Sequence, residues 1–397
     1  MPNLDALKER AFARVDSDRE VLVDLSLRIH RAPELRFAEH QAAAWLVEYL
    51  EQAGFRVERG AYGLPTAFVA RLGRGAPRVA ILCEYDALPG IGHACGHNII
   101  ATAGAGAGAA LAGVIDQTGG SVVVLGTPAE EGGGGKILMA RQGAFDGVDA
   151  AMMVHPAGMD LPAMNVLAIS AVEVEYRGRA AHASVSPHRG VNALDALVTA
   201  YNAIAQLRQH IRPTERIHGI ITDGGQAPNI VPEHAAGVFY IRAATDKRLA
   251  ALKERVMGCF RAGALATGAE VSVRRIDEDY SDMLTNQPLA AAYAANLARL
   301  GRTVSHPEDA PGVAGSTDMG NVSKLVPSIH PMIAAAPVNV PLHSVEFAEC
   351  AASTHGHRAV IDGAKGLAAT AIDFLCTPEL RAAVGAAFAA DRAGAEH

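Results

Sequence analysis

Four short, nearly continuous apolar runs, Val79 to Cys83, Val122 to Leu125, Ala151 to Val154 and Met332 to Ala336, are each followed by residues able to bind a metal. Runs of this length without alternation suit strands covered on both faces, the pattern of a largely parallel sheet. Ligands of such a sheet lie beyond the carboxyl ends of its strands, so whatever follows the runs is brought to one edge. The first run is followed by Glu84, Asp86 and His93-Ala94-Cys95-Gly96-His97, and the second by Glu130 and Glu131. His155 follows the third and His343 the fourth. Residues 5 to 29 and 38 to 53 carry apolar positions at helical spacing, which makes the class α/β.

Between about Val166 and Ile276 the rhythm changes. Strand-like Ala168 to Tyr176 precedes helix-like Val191 to Ile211, strand-like Ile217 to Thr222 and Ala236 to Ala243, helix-like Lys247 to Thr267, and strand-like Glu270 to Ile276. That βαββαβ order describes a ferredoxin-like insert. The expected organisation is one domain over 1–165 and 281–397, interrupted by a second over 166–280. The inserted domain's helices and open sheet edge are available for self-association as a homodimer. The tail beyond about Glu379 reads as an Ala-rich helix.

With 35 Lys and Arg against 42 Asp and Glu the formal charge is −7, and no basic stripe is visible. That argues against nucleic acid or an anionic membrane as partner. Five cysteines in 397 residues are too few and too odd for a disulfide framework. The N-terminal segment mixes charges without the apolar core of a signal peptide, and Ala101 to Val114 is too short to span a bilayer. A soluble, cytoplasmic protein is expected. Cys83, Cys259, Cys350 and Cys376 sit among apolar neighbours and read as core.

Cys95, His97, Glu131, His155 and His343 form a mixed sulfur, nitrogen and oxygen set that suits zinc or a similar first-row metal. Five candidates exceed the need of one tetrahedral ion, so two neighbouring divalent ions per chain are expected, zinc first, manganese or cobalt as alternatives. Their charge would lower the pKa of a shared water and hold a hydroxide. Glu130, beside the ligand Glu131, is the candidate general base, and Asp86 is placed to orient a ligand histidine. Gly132 to Gly135 followed by Lys136 looks like a phosphate loop, but Ile137 replaces the Ser or Thr such a loop needs. Gly104, Gly106 and Gly108 are better explained by close helix packing than by dinucleotide binding. Ser316, Thr317 and Asp318 form a polar turn near the last ligand, where Asp318 could attract a substrate amine.

The elements Ala87-Leu88-Pro89, His93-Ala94-Cys95-Gly96-His97, Pro128-Ala129-Glu130-Glu131, Gly224-Gly225, Pro228-Asn229 and Pro341-Leu342-His343 resemble the metallopeptidase family of aminoacylase, carboxypeptidase G and hippurate hydrolase. The cysteine ligand places the resemblance in one branch. Tyr85-Asp86-Ala87-Leu88-Pro89-Gly90 and Gly315-Ser316-Thr317-Asp318 look most like the β-alanyl-lysine dipeptidase and p-aminobenzoyl-glutamate hydrolase groups. The resemblance implies a dinuclear site, a ferredoxin-like lid, and hydrolysis of the amide of a dipeptide or N-acyl amino acid. It also marks His182, Asn229 and Arg242 in the lid: Arg242 offers a bidentate fork for a substrate carboxylate, and His182 an oxyanion donor reaching across a dimer. Glu84 stands where the wider family has a histidine ligand and is not carried over as one. Asn98 replaces the aspartate of hippurate-type members. The alternatives are p-aminobenzoyl-glutamate hydrolysis and, in another class, a catalytically silent metal-binding partner subunit.

Overall fold

The computed structural model describes residues 3–305 and 314–396. The chain forms two compact units, Met1–Asn165 with Met283–His397, and Val166–Asp282.

The first unit is built on a six-stranded sheet in the order Arg56–Arg59, Phe68–Gly73, Ser121–Gly126, Arg78–Cys83, Ala150–Met152, Ser328–Ile329. Its four central and far strands run parallel, and the first two are antiparallel. Every residue of Ser121–Gly126 is buried, as expected for a strand covered on both faces. The third apolar run does not form one strand. It pairs in the main sheet only over Ala150–Met152 and resumes at His155–Ala157, alongside Met332–Ala334 in a separate two-stranded piece. The break lets His155 leave the sheet edge.

The helical segment over residues 5 to 29 is likewise two helices, Leu4–Ser17 and Arg19–Arg31, hinged at Asp18. The Asp18 carboxylate accepts hydrogen bonds from Arg14 Nε at 2.8 Å and the Tyr49 hydroxyl at 2.9 Å. The helix His97–Ala112 is buried along its whole length. Its glycines explain how. A Cβ on Gly104 would lie 2.7 Å from Cys83 Sγ, one on Gly106 3.1 Å from Leu22, and one on Gly108 2.6 Å from Val124. The absent side chains of Gly104 and Gly108 let this helix, which begins at His97, lie directly on the strands, and that of Gly106 admits the helices carrying Leu22 and Ala364.

The second unit has the chain order βαββαβ, with sheet order Glu270–Arg275, Ala168–Arg177, His234–Ala243, Arg216–Asp223, all antiparallel. Helices Ala193–Leu207 and Asp246–Thr267 cover it, and its own core includes Val174, Tyr176, Phe239 and Phe260. Of the cysteines outside the metal set, Cys83 is buried, whereas Cys259, Cys350 and Cys376 are only half-buried. Among the described residues no helix is long and apolar enough to cross a membrane.

Overpacking the contact between helix and sheet tests this account. Gly104→Val and Gly108→Val are each expected to destabilise the protein by about 3 kcal/mol, read as a lowered urea midpoint. Gly385→Ala, where nothing lies within 4 Å, is expected to be neutral or to stabilise by up to about 1 kcal/mol.

Candidate metal centre

Each strand end delivers its residue through a specific backbone device. Gly96 adopts a left-handed conformation, φ 76°, and a Cβ there would meet Pro156 at 2.5 Å. It turns the chain so that Cys95 and His97, which a regular helix would point apart, face one place. Ala129, just before the two glutamates, also has positive φ, 60°, which is costly for a residue with a Cβ. Its N–H is held by the wholly buried Glu39 carboxylate at 2.9 Å. His343 has φ 62° and is anchored by its N–H on the Ala94 carbonyl at 3.0 Å.

The resulting donors converge. Cys95, His97 and His155 form one triplet whose ligand atoms all lie within 4.8 Å of one another, and Cys95, Glu131 and His343 form a second by the same measure. Cys95 belongs to both. Its Sγ is 3.4 Å from His155 Nε2, while Glu131 Oε1 lies 3.7 Å from His97 Nε2 and 3.5 Å from His343 Nε2. Asp86 takes the other imidazole nitrogen, His97 Nδ1, at 2.9 Å, and its second oxygen accepts the Glu131 N–H at 2.9 Å. The Pro156 carbonyl lies 2.8 Å from His155 Nδ1 and orients that ring in the same way. Both ligand nitrogens are thereby turned inward.

A metal fits the chemistry of this set. His97 Nε2 and Glu131 Oε1 are buried atoms with no hydrogen-bond partner, an arrangement that costs free energy unless a cation takes the lone pairs. Burial, with Glu131 beside it, pushes the Cys95 thiol well above its ordinary range, and burial with Glu84 and Glu131 does the same to the Glu130 carboxyl. Burial together with nearby histidines holds His155 well below the usual imidazole range, in the neutral form that a metal ligand needs.

Glu130 lies in neither Cys95 triplet; its Oε2 is 3.8 Å from His97 Nε2. It also forms a third donor group with Glu84 and His97. Asp318 departs from expectation. Its carboxylate is wholly buried and is taken by the Lys136 backbone N–H at 2.9 Å and by Lys136 Nζ at 2.5 Å, so it is not presented to a substrate amine. Thr317 is buried too, its hydroxyl accepting the Met319 N–H, and Ser316 is half-buried. The Asn98 amide nitrogen donates to Ser26 Oγ at 2.9 Å and to the Ala351 carbonyl, joining helices. In the second unit His182 and Asn229 are exposed on adjoining segments, with the Ala183 N–H donating to the Asn229 carbonyl at 3.0 Å. Arg242 is half-buried beside the Tyr240 ring. His330, whose ring centroid is 5.4 Å from that of His155, is a buried neighbour at the end of the short strand Ser328–Ile329, which the sequence reading passes over because its apolar run begins only at Met332. Lys136 and Glu39 are the other omissions. Their signal in the sequence is weak: a lysine after four glycines, and a glutamate before a helix.

A profile of the peptidase family M20/M25/M40 matches residues 80–346, which span the donors from Glu84 to His343. The chain belongs to this family. It is 42% identical over 395 residues to the Xaa-Arg dipeptidase of Mus musculus, covering 95% of this chain and 91% of that protein. It is 32% identical to a p-aminobenzoyl-glutamate hydrolase component of Escherichia coli, covering 90% of each. In fold it is similar to a dinuclear metal-binding M20 peptidase of Bacillus subtilis, with a TM-score of 0.72, 20% identity, and coverage of 91% of this chain and 99% of that one. This M20 chain is therefore a hydrolase of the peptidase and amidohydrolase class, with the mainly parallel α/β fold of its relatives.

Glu39, which holds the turn before Glu130, gives a pH signature. Burial pushes its carboxyl from 4.5 up to about 7. The folded form keeps the proton to higher pH than the unfolded one, so this contribution to stability is complete below about pH 4.5 and lost as pH rises toward about 7. Across that window the wild type is expected to lose up to about 3 kcal/mol relative to Glu39→Gln, measured by urea unfolding of both at each pH.

Proposed function

We propose that the chain hydrolyses the amide bond of a dipeptide or an N-acyl amino acid, with two divalent ions per chain held by Cys95, His97, Glu131, His155 and His343. The observation that carries the reading is that Cys95 belongs to two donor triplets while Glu130 stands beside them in neither. When bound, zinc, or manganese or cobalt in its place, supplies Lewis acidity and lowers the pKa of a water molecule.

The chain's own residues do the rest. Glu130 Oε2 takes a proton from the attacking water and returns it to the leaving amine nitrogen. Asp86 fixes the tautomer and direction of His97. The adjacent glutamates divide holding from proton transfer: Glu131, tied through its N–H to Asp86, holds; Glu130 moves the proton. Asn229 and the Arg242 fork meet the free carboxylate of the substrate. His182 supplies an oxyanion donor to a second copy of the chain, in a homodimer formed through the edge strand Arg216–Asp223, where Ile220 and Ile221 are exposed.

Similarity to the Xaa-Arg dipeptidase supports a dipeptide with a basic carboxyl-terminal residue as the substrate. Similarity to the Escherichia coli hydrolase supports p-aminobenzoyl-glutamate as the second reading. A panel of β-alanyl and other dipeptides, N-acyl amino acids and p-aminobenzoyl-glutamate, assayed with zinc, manganese or cobalt, separates them. Cleavage of basic dipeptides is expected to lead the panel. Full activity in metal-free protein, checked by elemental analysis, would sink the proposal.

Two further outcomes are expected. Glu130→Gln keeps its metal and loses turnover by roughly 10² or more, whereas Glu131→Gln also loses metal. Inactive His182→Ala chains mixed with inactive Glu130→Gln chains recover part of the activity through heterodimers with one intact site. Heterodimers that form but stay inactive would remove the trans role of His182.

A further inference from the structure

The loop that resembles a phosphate cradle without being one ends in a lysine with an unusual environment. Lys136 is wholly buried, and its Nζ lies 2.5 Å from Glu84 Oε1 and 2.5 Å from Asp318 Oδ1. Its backbone N–H donates to the other oxygen of Asp318. The three residues come from three separate places: the end of strand Arg78–Cys83, the start of helix Gly135–Arg141, and the residue before helix Met319–Ser323. A buried ammonium between two carboxylates is rarely a gain in stability over an apolar core, so its presence calls for another reason.

The neighbouring donors supply one. Glu84 Oε2, free of hydrogen bonds, lies 3.7 Å from His97 Nε2, and Glu130 Oε2 lies 3.8 Å from the same nitrogen. Glu84, His97 and Glu130 thus make a donor group of their own, which shares His97 with the group of Cys95 and His155. One imidazole nitrogen serves one ion. A divalent ion drawn toward the two glutamates would leave the thiolate and would engage Glu130 as a ligand. Carboxylate oxygens also bind such ions, and two of them lie within reach of the same imidazole nitrogen.

We propose that Lys136 is a positioning residue whose ammonium stands in for a divalent ion between Glu84 and Asp318, and thereby reserves His97 for the ion held with Cys95 and His155. The assignment rests on the two-ion reading above. It also accounts for Asp318, whose carboxylate accepts one of the ammonium's three N–H donors instead of meeting a substrate.

Removing Lys136 alone would leave two buried carboxylates uncompensated, so two variants of equal net charge are compared. K136M/D318N deletes the ammonium and leaves Glu84 to compete for His97. K136M/E84Q deletes the ammonium together with the competitor. Each is loaded with cobalt(II), and the thiolate-to-cobalt charge-transfer absorption, the bound cobalt per chain and the dissociation constant are measured alongside circular dichroism. In K136M/D318N the absorption per bound cobalt is expected to fall, and the dissociation constant of the thiolate-bound ion to rise roughly 10-fold or more. In K136M/E84Q both are expected to stay within roughly twofold of the wild type, which is a rescue that a merely structural role would not give. Equal retention, equal loss, the reverse order, or failure of either variant to fold would overturn the assignment. No turnover is read, so failure of the substrate panel and failure of this proposal remain separate results.

Discussion

The first unit is organised around a concentration of negative charge that the protein interior does not tolerate without cations. Glu84, Asp86, Glu130 and Asp318 are buried close to His97 and Lys136, with Lys136 pairing Glu84 and Asp318 and His97 pairing Asp86. In a medium of low dielectric such a cluster is stable only if positive charge is built in or taken up. The remainder of the unit can be understood as the means of forcing these groups together. Strands stop at one edge, and a helix thinned by Gly104, Gly106 and Gly108 packs close enough to bring His97 among the carboxylates.

Of the four non-glycine residues with positive φ among the described residues, Ala129 and His343 border the donor set. Ala129 and His343 hold positive φ despite having side chains, at a typical cost of about 1–3 kcal/mol each. Each is over-determined by a partner, Ala129 by Glu39 and His343 by the Ala94 carbonyl. The backbone is thus bent at the two turns that carry candidate donors, before Glu130 and at His343.

Much of this was legible before any coordinates. Buried parallel strands announce themselves as continuous apolar runs, and residues after them must share an edge, so the donors from Cys95 to His343 could be gathered without knowing a distance. The βαββαβ order of the second unit was legible for the same reason, since its strands and helices are long and strongly patterned. The break between Ala150–Met152 and His155–Ala157 was not, because apolarity alone does not say where hydrogen-bond pairing stops. Nor was the helix break at Asp18, which depends on a tertiary bond to Tyr49. The pairing of Lys136 with Asp318 was not legible either: charge in a sequence reads as exposed, and only the fold reveals that two distant charges are buried on each other.

The insertion of one unit within the other has a consequence for a chain made from its amino end. The Cys95, His97 and His155 donors all precede the insert, as does the strand Ala150–Met152, whereas His343 and the strand Ser328–Ile329 follow it. On the ribosome, therefore, one half of the donor array can close while the other still waits for its last member and the sheet for its outermost strand. The intervening unit, with a core of its own, can form during that delay. A nascent chain thus passes through a stage in which the Cys95, His97 and His155 donors are all present while the group of Cys95, Glu131 and His343 still lacks its last member.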